Sequence, residues 1–273
     1  MIATVHLFRP LNEELVALLR GLSAEEWLLP TVAGKWRVKE VAAHLLDGMW
    51  RRLSAARDGH LPPPDRPIDS PQAFVAFIDG LNADWVKAAG RLSPRILTDQ
   101  LEAAGGELAD YFLSLDPHAE ALWPVSWAGD EVSPNWMDIG RDYTEGWHHQ
   151  QQIRLATGRP PLMGRRFGYP ALALFAKALP LAYRDAAAAA GTEVEVTISG
   201  DAGSTYTLRR GEKGWSLLEE RATSPAARIA IRDADAWLLF TKGLRGDAAA
   251  AALTSEGEPS LVAPFLRTLS VIG

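Results

Sequence analysis

Between Arg141 and Gly158 the chain reads RDYTEGWHHQQQIRLATG, which places Glu145, two adjacent histidines and three consecutive glutamines within a few helical turns. On a helix, residues three and four apart share a face, so Asp138, Asp142, Glu145, His149 and Gln152 fall on one line. Such a polar line either faces solvent or borders a polar cavity inside a bundle. Ile139, Tyr143 and Trp147 on the opposite line would supply apolar packing in both cases. Glu145 and His149, one turn apart, can aim a carboxylate oxygen and an imidazole nitrogen at one point, as paired ligands do in helical metal sites.

A second stretch, KWRVKEVAAHLLDGMW, sets His44 among Ala42, Ala43, Leu45 and Leu46 on the most apolar of the expected helices. A histidine there is either a core residue bonded to a backbone carbonyl or a third ligand meeting Glu145 and His149 from an antiparallel helix. The chain has only six histidines. Two neutral imidazoles and one carboxylate form a catalytic zinc set with an open coordination position, suited to Lewis-acid or bound-nucleophile chemistry. His148 is the rival to His149. Its ring points about 100° away around the helix, and His149 is preferred because it lies in line with Glu145. His6, His60 and His118 fall near the terminus or in loops and read as surface residues.

These side chains need helices to hold them. Leu11, Leu15, Leu18, Leu19 and Leu22 recur at helical spacing, and Ser23–Glu26 has a capping-box pattern. A second helix is expected from about Val38 to Arg57, closed by the proline-rich DGHLPPPDRP. SPQAF at Ser70 and SPRIL at Ser93 each offer a Ser cap followed by Pro at the first helical position. The fourth helix should run to about Leu115, and the last from about Asn135 to Thr157. This pattern predicts an antiparallel four-helix bundle, with one short helix beyond the core four.

After about Gly164 the pattern changes. A helix is expected over Tyr169–Ala190, stopped at Gly191. TEVEVTISG and ARIAIRD alternate as half-buried strands, with STYTLRRG and GWSLLEER between them. Helices return at DADAWLLFTKG, DAAAAALT and the C-terminal PSLVAPFLRTLSVI. The expected organisation is therefore a helical bundle over residues 1–164 and an α+β domain over 165–273.

Composition narrows the function. The net charge is −6, with no basic run, so the electrostatic footprint of nucleic-acid binding is missing. Cysteine is absent, which removes disulfides, Cys-ligated zinc and a protein thiol nucleophile. Any thiol chemistry must use a thiol from outside. The N-terminal stretch reads as an amphipathic helix rather than an export signal, and no uncharged apolar run is long enough to cross a bilayer. A cytoplasmic protein acting on small molecules is the expectation; the sequence is silent on oligomeric state.

PTVAGKWRVKEVAAHLLDG resembles the N-terminal helical signature of the DinB-like, mycothiol-dependent maleylpyruvate isomerase family, and RDYTEGWHHQQQIRLATGRP resembles its second metal-binding segment. The stretch from Ala227 to the end is similar to the sterol-carrier-like α/β domain that follows the bundle in those proteins. The resemblance implies a divalent metal, commonly zinc, on the residues matching His44, Glu145 and His149. It also implies a low-molecular-weight thiol as cosubstrate, made reactive by the metal. In the family's isomerase that thiolate adds to a cis double bond, the resulting single bond rotates, and elimination gives the trans product; related members transfer thiols. Many relatives carry Asp one turn after the metal histidine, where this chain has Gln152. An amide cannot accept a proton as a carboxylate can, so Gln152 would orient His149 or hold a metal-bound water, with Asp142 as the alternative acid–base group. Simple hydrogen bonding stays open for both. Relatives often place a basic residue after the WLLF-type helix; Lys242 and Arg245 are nearest here and would suit a carboxylate. Trp36, Trp136 and Trp147 are expected near the site. Two other readings remain: a non-catalytic protein holding a small apolar ligand with a structural metal, and a metal-dependent hydrolase.

Overall fold

The computed structural model describes residues 1–271. It divides into two compact units: Ala3–Leu122 with Pro134–Pro161, and Leu162–Val271 with Trp123–Ser133 and Met1–Ile2. The segment Trp123–Ser133, expected to belong with the first part, groups with the second.

The first unit is helical: α1 (Phe8–Arg20), α2 (Val38–Arg52), α3 (Pro71–Ala89), α4 (Pro94–Leu113) and α5 (Asn135–Ala156). The chain's local signals set their starts. Ser70 Oγ accepts the Ala73 N–H at 3.1 Å and Ser93 Oγ that of Ile96 at 3.3 Å, each worth about 1 kcal/mol to its helix. The Ser23–Glu26 box forms too, with Glu26 accepting the Ser23 N–H at 2.8 Å, but it opens a short 3-10 turn rather than a long helix. α2 ends in a wider, π-type turn at Leu53–Arg57.

Helices α1, α2, α4 and α5 form the bundle, α1 packing on α4 and α5, and α2 on the same two. Leu15, Leu19, Val41, Leu46, Leu97, Leu101 and Ile153 fill its core; burying each such side chain stabilises by about 1.5–3 kcal/mol. The helix beyond the core four is α3. It is nineteen residues long, not short, packs chiefly on α2, and has only Ala89 fully buried.

The second unit opens with α6 (Gly168–Phe175) and α7 (Leu179–Ala182), joined by a 3-10 turn. The helix expected over Tyr169–Ala190 therefore stops early, and the alanine-rich RDAAAAAG is not helical. Tertiary bonds claim its backbone: the Trp215 Nε1–H donates to Ala186 O at 3.2 Å, and the Gly191 N–H to Arg210 O at 2.7 Å. Propensity is a weak prior against such partners. The strands β1 (Glu193–Ser199), β2 (Ser204–Arg210), β3 (Trp215–Leu218), β4 (Ala227–Arg232) and β5 (Leu253–Gly257) form one sheet in the order β3-β2-β1-β4-β5. β1 and β4 are parallel and the other pairs antiparallel. Val194, Val196 and Ile198 are buried, as the alternation predicted. β5 was not anticipated. It is an exposed edge strand with a single large apolar residue, so it shows no alternation to read. α8 (Asp233–Phe240), α9 (Gly246–Ala251) and α10 (Pro259–Leu266) complete the unit. Among the described residues no helix is long and apolar enough to cross a membrane.

Candidate metal centre

The polar line of α5 faces inward. Asp138, His149 and Gln152 are buried, and Asp142 and Glu145 half-buried. It meets α2 at two levels, because the helices pack with α2 running from His44 to Arg52 as α5 runs back from His149 to Asp138.

At the first level, His44, Glu145 and His149 converge, with one ligand atom from each within 4.8 Å of the others. His149 Nε2 lies 3.4 Å from Glu145 Oε2. Two ligand atoms of a tetrahedral ion bound at about 2.0–2.1 Å stand roughly 3.3–3.4 Å apart, close to the separation of this pair. The His44 rings and His149 rings meet edge to face with centroids 4.7 Å apart, and the Trp36 indole lies 4.8 Å from His44 and 6.5 Å from His149.

The hydrogen bonds leave ligand atoms available. His149 Nδ1 donates to Gln152 Oε1 at 2.7 Å, since an amide oxygen only accepts. Its Nε2 is the ring nitrogen that faces Glu145. His44 Nδ1 is buried and has no hydrogen-bond partner, so the backbone-carbonyl arrangement of a core histidine is not adopted. Such an orphan costs folding free energy unless something outside the chain satisfies it.

Electrostatics point the same way. Burial, reinforced by His149, pushes the His44 imidazole down to about 3, and it is neutral at pH 7. Glu145 is only partly buried, which would raise its carboxyl; the charge that His148, His149 and His44 carry when protonated, with a hydrogen bond from His149, outweighs this and holds the group well below the usual carboxylate range. A neutral imidazole beside a firmly ionised carboxylate is a donor set a divalent cation would complete.

His148 lies outside the trio. Its Nδ1 donates to Thr144 O at 2.9 Å, and burial pushes it down to about 4. The run of glutamines is divided in duty: Gln152 serves His149, while Gln150 donates to Leu11 O at 3.1 Å and accepts from Arg154 at 3.1 Å, tying α5 to α1.

At the second level sits a residue that sequence reasoning missed. Arg52, 5% exposed, donates to both oxygens of Asp142 at 2.7 and 2.8 Å and to both of Asp138 at 2.8 and 3.0 Å. Arg141 adds a bond to Asp138. Burial alone would weaken the Arg52 charge; the two carboxylates more than reverse this. Its position two turns from His44 on one helix was the signal available. Asp142 thus has Arg52 as its partner. Lys242 and Arg245 belong to the second unit. Lys242 sits exposed at φ 70° in the turn after α8, and Arg245 turns its guanidinium to the carbonyls of Thr268 and Leu266 at 3.4 and 3.5 Å. Of the three tryptophans singled out, Trp36 lies against the trio, and Trp147 is fully buried in the first unit.

Residues 8–154, more than half of the chain, match the family described as mycothiol maleylpyruvate isomerase N-terminal domain. Among solved structures, the chain is similar to the crystal structure of the mycothiol-dependent maleylpyruvate isomerase, with TM-score 0.52 and 14% identity over 93% of this chain and 92% of that one. A histidine-to-alanine mutant of that enzyme matches with TM-score 0.54, again at 14% identity and with the same coverage. At this identity the likeness establishes the fold. No curated protein matches in sequence.

Proposed function

The chain belongs to the mycothiol maleylpyruvate isomerase N-terminal domain family, and from that membership we propose that it is a metal-dependent enzyme. It would activate a low-molecular-weight thiol, mycothiol by analogy with the named relatives, for isomerase or S-transferase chemistry on a small electrophile. The observation that carries this reading is the convergence of His44, Glu145 and His149 together with the orphaned, buried Nδ1 of His44.

His44, Glu145 and His149 would hold the cation, with zinc the best match to two imidazoles and a carboxylate. A divalent ion there supplies a Lewis acid that lowers the pKa of a coordinated thiol into the neutral range. The chain's own residues do the rest. Gln152 keeps the His149 proton on Nδ1 and so keeps Nε2 turned inward. Glu145 supplies fixed negative charge. Trp36 lies against the imidazoles on one side. Asp142, held through both oxygens by Arg52, is assigned to positioning α5 and not to proton transfer. With an amide at Gln152 and Asp142 engaged by Arg52, thiol transfer needs less of this chain than the full isomerase cycle does.

The test is metal analysis of the purified protein and of the His44→Ala and Glu145→Ala variants, with thermal shift on adding thiol. Stoichiometric metal in the parent, its loss in both variants, and stabilisation by mycothiol are expected, since a ligand of the native state raises stability. Metal retained in both variants overturns the ligand set. Metal bound but no response to any thiol points instead to water in the open position, and so to hydrolysis.

A further inference from the structure

Gly48 stands in the interior of α2, one turn beyond His44. Glycine is the costliest ordinary residue inside a helix, and two reasons commonly excuse it there. Neither applies. Its backbone is not left-handed, and a Cβ built on it would meet no atom within 4 Å, so no neighbour demands its small size.

Its place is informative. At 100° per residue, position 48 lies midway around α2 between His44 and Arg52, the two residues through which α2 engages the polar line of α5. Both of those contacts are close, yet Gly48 is exposed. Between the two levels, then, the surface of α2 is open to solvent. The facing side of α5 agrees: Glu145, at 39% side-chain exposure, is the most accessible of the paired groups there, against 9% for His149 and 5% for Asp138.

Helical side chains lean toward the N-terminus and cover the turn before their own Cα. A side chain at position 48 would therefore lie back over the turn that carries His44, beside the cluster. Resting on the metal-site reading above, we propose that Gly48 determines ligand size at this centre. By having no side chain, it leaves open an approach to the His44–Glu145–His149 cluster broad enough for a bulky thiol. An alanine narrows that approach slightly; a leucine closes it to anything much larger than water or a two-carbon thiol.

The experiment uses the full-length chain loaded with Co2+, whose d–d absorption reports both the ligand set and any thiolate joining it. Parent, Gly48→Ala and Gly48→Leu are titrated with 2-mercaptoethanol and with mycothiol, and each is melted. All three are expected to give the same Co2+ spectrum and the same response to 2-mercaptoethanol. Gly48→Ala should melt about 2–4 °C higher, as helix propensity dictates, which also confirms folding. Gly48→Leu should bind mycothiol at least roughly tenfold more weakly than the parent, the signature of a lost approach rather than a lost site. Equal mycothiol binding by Gly48→Leu and parent overturns the proposal while leaving the metal reading intact. A Gly48→Leu protein that loses the Co2+ spectrum also overturns it, since position 48 would then be structural. A parent that binds Co2+ but does not respond to mycothiol overturns both this and the thiol reading at once.

Discussion

His149 Nδ1 stands 2.7 Å from Gln152 Oε1, and this one bond decides which nitrogen of the ring is free. Replacing Gln152 by Leu keeps the side-chain bulk and removes the acceptor. Metal affinity measured by chelator competition should fall by about 10–100-fold, while Gln152→Glu, which restores an acceptor, should hold or tighten it. Unchanged affinity in Gln152→Leu would show that packing alone orients the ring.

Arg52 joins α2 to α5 through Asp138 and Asp142. Arg52→Met leaves the buried Asp138 carboxylate without its principal partner, and urea unfolding should show a loss of about 3–5 kcal/mol. Adding Asp138→Asn and Asp142→Asn to that variant should recover part of the loss, because the penalty lies in the stranded charges. A single-variant cost under about 1 kcal/mol would place the pair in the class of weak surface bridges.

The protein without metal should weaken in acid. His148 in the folded chain is pushed down to about 4 by burial, against about 6.5 when unfolded. Between those values the unfolded chain binds more protons, so this contribution is complete above about pH 6.5 and is lost as the pH falls to about 4. It amounts to something on the order of 3 kcal/mol. His44, down to about 3, acts in the same direction over a wider window. Urea midpoints of the parent and of His148→Gln, taken from pH 7 to pH 4, should diverge, the variant showing the flatter profile. Parallel profiles would remove His148 from the account.

Trp36 lies nearer His44 than His149, so a paramagnetic ion in the centre should quench its emission. Titration with Co2+ should dim the parent's fluorescence, and most of that change should vanish in Trp36→Phe. Persistence of the full change would mean that Co2+ is reporting from elsewhere.

Much of this centre is visible in the sequence because it obeys helical arithmetic. Glu145 and His149 are one turn apart, and His44 interrupts an apolar helix where a polar group needs a reason. The Ser-Pro helix starts are local chemistry and form where they were expected. Arg52 was not legible in the same way. Its partners are set by the axial alignment of two helices far apart in sequence, which no spacing within either one encodes. The second unit departs for a related reason: Ala186 and Gly191 bond to Trp215 and Arg210, and β5 pairs with Ala227–Ile231, all distant in sequence, against the preference of the local residues. Glutamines looked alike in the run from Gln150 to Gln152, yet consecutive residues on a helix point to different neighbours, and two of them bind different helices' atoms.

The chain leaves the first unit at Trp123, returns at Pro134 and departs again at Leu162, and the short turn at Ser126–Ala128 packs on α7. Topologically the halves are stitched, not strung. Severing the polypeptide once, after Pro161, would strand Trp127 on the wrong fragment as a sticky aromatic with nothing to insert into. A shuffling event that exchanged the sheet-bearing portion between relatives would have to carry an eleven-residue passenger from the middle of the helical portion along with it. One cut in the thread therefore cannot yield both parts whole.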